Sequence, residues 1–137
     1  MAAADFENIA SESNPYRQTE AFDAQFVSHY YTTFDADRKT LGNLYREGSM
    51  LTFESAPSLG AAQIVDKLAN LPFQKVTHQV TTLDAQPSPN GIFILVTGQL
   101  KVDDSELPLN YSQAFQLTQD AGGAWFVQND VFKLNLA

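Results

Sequence analysis

Acidic side chains next to aromatic ones form the pattern in this chain that could carry chemistry. Glu54 directly follows Phe53, and Asp103, Asp104 and Glu106 share one short polar segment between apolar runs. Carboxylates around an aromatic pocket can pair with lysines or arginines of a partner while the pocket takes an anchor side chain. Carboxylates are also commonly solvated surface charges without a role. The pattern therefore leaves two interpretations open, partner recognition and a solvated acidic surface.

Asp130 is the candidate for acid–base chemistry. It shares strand parity with Phe132 and Leu134, which predicts a carboxylate facing the apolar side of a sheet. Such a carboxylate either is a hydrogen-bonded structural group or has a raised pKa and acts as a base, with Tyr30 or His29 as its helpers. We favour the structural role, because buried polar groups usually have hydrogen-bond partners.

Sequence motifs for other chemistries are absent. The chain has no GxxxxGK loop, no GxGxxG and no GxSxG. It has no cysteine, and its two histidines, His29 and His78, lie far apart without metal-ligand spacing. We therefore expect no cofactor and no metal ion.

Composition indicates one folded, acidic domain. The length of 137 residues fits a single domain, and 44% hydrophobic residues against 18% charged ones allow a packed core. The net charge of −8 disfavours binding to nucleic acid or to anionic membranes. The longest apolar run, Ile92 to Val96, is too short to cross a bilayer, and the N-terminus does not look like a secretory signal. We expect no nucleic acid partner, no membrane insertion, and a location in the cytosol or nucleus.

The elements that must position these residues begin with helices. An amphipathic helix is predicted from Thr19, which is a plausible N-cap, because aromatic and apolar residues recur on one face at Phe22, Phe26, Val27, Tyr30, Tyr31 and Phe34. Asp37 is predicted to cap a second, short helix, and a third runs from about Gly60 to Pro72. Between them Met50 to Glu54 reads as a short strand, and Pro57 with Ser58 as a turn.

Strands are predicted for the remainder, at 75–85, 92–102, 109–118 and 125–136. Helices followed by a meander of long strands indicate an α+β fold with an antiparallel sheet and helices on one of its faces.

Large apolar residues lie on both faces of two predicted strands. In the strand after Gly91, one face carries Ile92, Ile94, Val96 and Leu100, and the other carries Phe93 and Leu95. The last strand puts Phe132 and Leu134 on one face, and Trp125, Val127 and Val131 on the other. A sheet covered by helices alone should have one polar face. We expect a second buried face, either a sheet-to-sheet homodimer or a covering loop, and favour the homodimer.

Four segments resemble the nuclear transport factor 2 family: HYYTTFDADRKTLGNLYREGSMLTFE, GAAQIVDKLANLPFQKVTHQVTTLDAQPSP, GQLKVDD and WFVQNDVFKLNL. The resemblance is strongest to fungal members, and it places a family domain at 25–137 after an N-terminal segment at 1–24. It implies a homodimer of cone-shaped α+β subunits, each with a bent sheet wrapped around helices to leave a hydrophobic cavity. It also implies a carrier that takes the GDP form of the GTPase Ran into the nucleus, binds FxFG repeats of nucleoporins, and concentrates at the pore.

The resemblance assigns roles to named residues. The Ran-binding acids would be Glu54 and Asp103; a third family acid falls on Ser105, where Asp104 or Glu106 would substitute. The cavity for an aromatic of Ran would be lined by Phe53, Leu71, Phe73 and Phe132. The dimer face would include His78, Leu95 and Val131.

The N-terminus departs from the family pattern. The aromatic that helps to bind FxFG repeats falls on Thr19, which cannot replace it. DFENIA, at 5–10, resembles the family start. We therefore hypothesise an insertion of roughly 13 residues within 11–24, because deleting that many residues would place Phe6 about two helical turns before Phe26. Either Phe6 or Phe22 would then bind FxFG, and alanine substitution of each distinguishes them.

Two other functions remain open at this point. The same cone fold houses isomerases and dehydratases, for which Asp130 would be the acid–base residue. A dimeric scaffold that binds FxFG repeats alone is the other.

Overall fold

The computed structural model describes residues 15–135, with side chains from position 22 onward. The element bounds along the chain are α1 Pro15–Asp37, a 3-10 helix Arg38–Leu44, β1 Met50–Phe53, β2 Ala56–Leu59, α2 Ala61–Ala69, β3 Val76–Ser88, β4 Gly91–Val102, β5 Leu109–Gln119 and β6 Trp125–Leu134. This order of helices followed by long strands agrees with the predicted α+β class.

Helix α1 is longer than its sequence pattern predicts. It begins at Pro15, so the predicted N-cap at Thr19 is wrong. Proline suits the first helical position, where its missing N–H and fixed φ cost nothing. The predicted cap at Asp37 is confirmed, since its side chain accepts from the N–H of Lys39 at the start of the 3-10 helix.

The described strands form one sheet in the order β2-β1-β6-β5-β4-β3. The long strands pair antiparallel as expected, whereas β1 runs parallel to β6, so the sheet is mixed. The predicted turn at Pro57 and Ser58 is wrong, because both lie in β2, and the chain reverses one step earlier at Glu54 and Ser55.

The inner face of the sheet packs against the helices and forms the core. Ile94 and Val96 of β4 are fully buried there together with Phe115 of β5 and Tyr30 of α1. Tyr30 and Phe115 meet edge to face, with ring centroids 4.9 Å apart. Burial of such large side chains supplies most of the driving force that holds the helices on this face.

A β-bulge changes the face pattern of β6. Gln116 pairs with Asn129 but Leu117 pairs with Val127, so Gln128 is an extra residue in its strand. Val127 is consequently buried in the core, and its prediction for the outer face with Val131 is wrong. Downstream of the bulge the parity is as expected, with Asp130 and Phe132 inside and Val131 outside.

Candidate functional site

An apolar cavity of about 230 Å³ opens between the helices and the inner face of the sheet. Side chains from the helices, the segment after α2, and strands β1, β3, β4, β5 and β6 line it: Tyr30, Phe34, Leu51, Phe53, Leu68, Pro72, Phe73, Val76, His78, Leu100, Val102, Leu109, Gln113, Phe132 and Leu134. Several lining residues near the opening, among them Phe53 and Phe73, remain half-buried. A concave, largely apolar site of this kind suits an apolar or aromatic anchor from a partner.

A stack of aromatic rings forms one wall. Phe53 of β1 and Phe132 of β6 lie nearly parallel, with centroids 4.6 Å apart, because the parallel pairing places them side by side. Tyr111 stacks on the other side of Phe132, at 5.5 Å. The Lys67 ammonium lies 5.8 Å from the centre of the Phe53 ring. The wall is therefore an aromatic surface with a cation at its edge.

Glu54 adjoins this wall at the mouth of the cavity. It follows Phe53 and has a φ of 50°, and Ser55 after it has a φ of 70°, both in the left-handed region. Its carboxylate accepts a hydrogen bond from the N–H of Leu134, another lining residue. The tight reversal between β1 and β2 thus holds a carboxylate against the rim, half-buried beside an apolar opening.

Asp103 adjoins a different part of the rim, at the end of β4. It too has a φ of 50°, and its Oδ1 accepts from the N–H of Gln74 and of Lys75, each at 3.0 Å. These two backbone hydrogen bonds hold the pKa of the exposed Asp103 carboxyl below its usual range, and the bond from Lys75 has the larger effect. The neighbouring acids Asp104 and Glu106 are exposed as well.

Arg38 is a rim residue that the sequence interpretation missed. Its guanidinium donates to the carbonyls of Leu68, Phe73 and Gln74 and lies 5.0 Å from the centre of the Phe73 ring. No motif announces this role, since Arg38 simply follows the Asp37 cap; the partners lie 30 or more residues away.

Two predicted site residues lie elsewhere than expected. Leu71 is buried but does not line the cavity; it borders a shallow depression beside it, together with Phe73 and Asp103. His78 is wrong as a residue of the outer sheet face: its side chain is 3% exposed and faces α1, where Nδ1 lies 2.6 Å from the Asp35 carboxylate and the ring stacks on Tyr31. It shares its face of β3 with Val76, two residues earlier, which is also buried.

Asp130 lies behind the cavity and is 1% exposed. Its Oδ2 accepts from the hydroxyls of Tyr45 at 2.8 Å and Tyr30 at 3.2 Å, and its Oδ1 from the Gln113 amide at 2.8 Å. Burial raises its pKa to about 6 against these three donors, which lower it. Tyr30 and Gln113 line the cavity, whereas Asp130 does not. The carboxylate is therefore a satisfied structural group, as favoured from the sequence.

The outer face of the sheet exposes an apolar line. Leu95 is 42% and Val131 48% exposed, and Ala114 lies directly between them in the cross-strand register. Phe93, also exposed, extends the line along β4. The two-sided apolar character predicted for this strand is thus present, with Ile92, Ile94, Val96 and Leu100 on the buried face.

The structure describes one of the two aromatic candidates for FxFG binding. Phe6 lies outside the described residues. Phe22 is half-buried on α1 and packs against Trp125, with ring centroids 4.9 Å apart. No group of three or more potential metal ligands is found among the described residues, and no helix within 15–135 is long and apolar enough to cross a membrane.

Comparison with known proteins places this geometry. The nuclear transport factor 2 (NTF2) domain model matches residues 23–134. Nuclear transport factor 2 of Neurospora crassa is 65% identical over 117 residues, covering 85% of this chain and 94% of the relative.

This chain belongs to the nuclear transport factor 2 family. The solved structure of a Cryptosporidium parvum family member superposes with a TM-score of 0.81 at 44% identity, covering 86% of this chain and 95% of that one. A hexachlorocyclohexane dehydrochlorinase from Novosphingobium barchaimii shares the fold alone, with 13% identity and a TM-score of 0.73. The name shared by the Neurospora and Cryptosporidium relatives supports a role in nuclear transport rather than in catalysis, and the predicted α+β class is confirmed.

Proposed function

We propose that this chain carries the GDP-bound form of the GTPase Ran into the nucleus. The observation that supports the proposal most is an apolar, aromatic-walled cavity with carboxylates at its mouth. An aromatic side chain of Ran would enter beside the Phe53–Phe132 stack, which lies 4.6 Å from ring to ring. Lysine or arginine side chains of Ran would pair with Glu54 and with the acidic segment that begins at Asp103. Anchors of this kind supply most of the binding energy of an interface.

The two rim acids are suited to different parts of this contact. Glu54 is half-buried beside the aromatic wall, so an ion pair there is partly shielded from water. Asp103 already accepts two backbone N–H groups through Oδ1, so it both orders the rim and adds negative charge. Asp104 and Glu106, both exposed, would replace the family acid that is Ser105 here. The net charge of −8 would speed the approach of a cationic surface.

Nucleotide dependence would arise because the proposed anchor lies in a switch segment of Ran. The cavity of about 230 Å³ would take one aromatic side chain from that segment, and the γ-phosphate rearranges GTPase switch segments. The GTP form would therefore withdraw the anchor and release the carrier.

Capture of Ran by the immobilised chain tests the proposal. Ran loaded with GDP should be retained, and Ran loaded with a non-hydrolysable GTP analogue should pass through. Equal retention of the two forms, or of neither, would remove the proposal.

Passage through the pore would use weak contacts with FxFG repeats near the N-terminal part of α1. Repeated weak binding allows retention without immobilisation, which would concentrate the carrier at the pore between cytoplasm and nucleus. Phe22 and Phe6 are the candidates: binding of FxFG peptide should be lost on one alanine substitution and retained on the other.

A homodimer through the outer sheet face is part of the proposal. Its support is the exposed line of Leu95, Ala114 and Val131. Val131→Glu should shift sedimentation from dimer toward monomer, while Leu107→Glu, in a loop where the leucine is 77% exposed, should leave it unchanged. His78 is not included, since its ring faces the core.

The enzymatic alternative is not favoured. Asp130 does not line the cavity, and three donors already satisfy its two oxygens.

A further inference from the structure

Arg38 holds the segment that follows α2. This segment, residues 70–75, will be termed the linker. The Arg38 guanidinium takes the carbonyls of Phe73 and Gln74 in the linker and that of Leu68 just before it, and it lies against the Phe73 ring. One planar, fully charged group with several donors is suited to such a task, whereas an ammonium is not.

Asp103 holds the same linker by accepting hydrogen bonds from two of the linker's N–H groups. Its Oδ1 accepts from Gln74 and Lys75. Gln74 is thus held by two charged groups: its carbonyl accepts from the Arg38 guanidinium, and its N–H donates to the Asp103 carboxylate. The β4 end is further tied in, because the N–H of Asp103 donates to the Lys75 carbonyl at 2.7 Å.

The held linker forms part of the cavity. Pro72 and Phe73 are lining residues, as are Val76 immediately after the linker and Val102 immediately before Asp103. A linker free to move would blur one wall of the cavity and the position of a rim acid together. Rigid sites bind more tightly because less freedom is lost on association.

We infer that Arg38 is a positioning residue for partner binding: it fixes the linker so that Phe73 and Asp103 stand in their binding geometry before Ran arrives. The consequence for Ran rests on the proposed function; the fixing of the linker does not.

Arg46 provides a matched control. It donates to the carbonyls of Asn43 and Tyr45, pairs with Asp120 at 3.3 Å, and lies 5.1 Å from the centre of the Phe126 ring. The chemistry resembles that at Arg38, but none of these partners lines the cavity.

The experiment compares Arg38→Lys with Arg46→Lys. Amide hydrogen exchange should accelerate at Gln74 and Lys75 in Arg38→Lys, by about two- to tenfold for the loss of one hydrogen bond, and stay at the wild-type rate in Arg46→Lys. By calorimetry, Arg38→Lys should bind Ran-GDP roughly tenfold more weakly, and Arg46→Lys should bind like the wild type. The two variants should melt at similar temperatures.

Unchanged exchange at both amides in Arg38→Lys would overturn the inference. So would accelerated exchange with wild-type Ran affinity, since the linker would then not matter for binding. A wild-type chain that does not bind Ran-GDP would remove the proposed function, and the exchange rates alone would then decide whether Arg38 fixes the linker. If Arg38→Lys does not fold, Arg38→Gln, which keeps side-chain donors but loses the charge, replaces it and must accelerate the same two amides.

Discussion

Two carboxylates near the cavity have opposite surroundings. Asp130, behind Tyr30 and Gln113, is closed off from solvent and saturated by three donors. Glu54, at the mouth, is half-buried and accepts one backbone N–H. A catalytic pocket would direct its strongest acid–base group into the cavity. Here the buried acid stabilises the fold and the rim acid faces an apolar opening, an arrangement for recognising a partner.

Asp130→Leu removes the buried carboxylate of this pair and should destabilise the fold. Three donors, from Tyr30, Tyr45 and Gln113, would lose their acceptor in the core, and each buried unsatisfied group costs about 1–3 kcal/mol. The free energy of unfolding, measured with urea, should fall by roughly 3–9 kcal/mol on the same scale. Asp130→Asn, which keeps one acceptor oxygen, should lose clearly less. Equal losses would mean that the carboxylate's size, and not its hydrogen bonds, matters.

Glu54→Lys reverses the charge of the half-buried carboxylate at the mouth and should weaken the binding of Ran-GDP. Replacing a partner of an interfacial ion pair typically costs about 2–5 kcal/mol of binding free energy, so affinity for Ran-GDP should fall at least tenfold. Glu54→Gln retains an acceptor for the Leu134 N–H and should lose less. Calorimetry measures both, and circular dichroism should show an intact fold. Unchanged affinity of Glu54→Lys would refute the role assigned to this acid.

Acidification should sharpen the contrast. The pKa of Asp130, about 6, lies above the usual 3.8, so the native state binds this proton more tightly than the unfolded chain. The part of the stability that comes from this raised pKa is therefore greatest below pH 3.8 and is lost as the pH rises through about 6, an effect on the order of 3 kcal/mol. Urea unfolding of wild type and Asp130→Asn between pH 4 and 7 should show the wild type gaining relative stability toward pH 4. Parallel profiles would contradict the raised pKa.

Filling the cavity should have the smallest effect on the fold and still affect binding. Val102 lines the cavity and is half-buried, so Val102→Phe places a ring where space exists. We expect stability to change by less than about 1.5 kcal/mol, and affinity for Ran-GDP to fall roughly tenfold as the anchor is excluded. Val80→Phe, on the exposed part of β3, is the control and should bind normally. Normal binding by Val102→Phe would mean that no side chain enters the cavity.

Local patterns predicted the helices and long strands because their apolar periodicity reflects burial directly. The aromatic spacing of α1 and the alternation in β4 both correspond to buried faces in the structure. The parallel pairing of β1 with β6 was not predictable, since strands so far apart in sequence carry no signal of their mutual direction. Parity in β6 was wrong upstream of Gln128, because a single inserted residue reverses the faces.

The site was predictable in part. Resemblance supplied Phe53, Phe73 and Phe132, which do line the cavity, but it did not supply Arg38. The role of Arg38 depends on backbone carbonyls of a distant segment. Every residue has a backbone carbonyl, so the sequence does not indicate which ones will accept from Arg38. Resemblance also assigned His78 to the dimer face, whereas the His78 side chain faces α1 and contacts Asp35 and Tyr31.

The left-handed backbone at Glu54 and Asp103 has a consequence for engineering and for variation in the family. Non-glycine residues at such angles carry a conformational cost that glycine would relieve. Glycine at either position would relieve that cost, but it would also remove the hydrogen bonds that the Glu54 and Asp103 carboxylates accept from backbone N–H groups. Because these two effects on stability oppose each other, a screen that measured only folding would not detect the loss of the two acids that we place in the contact with Ran.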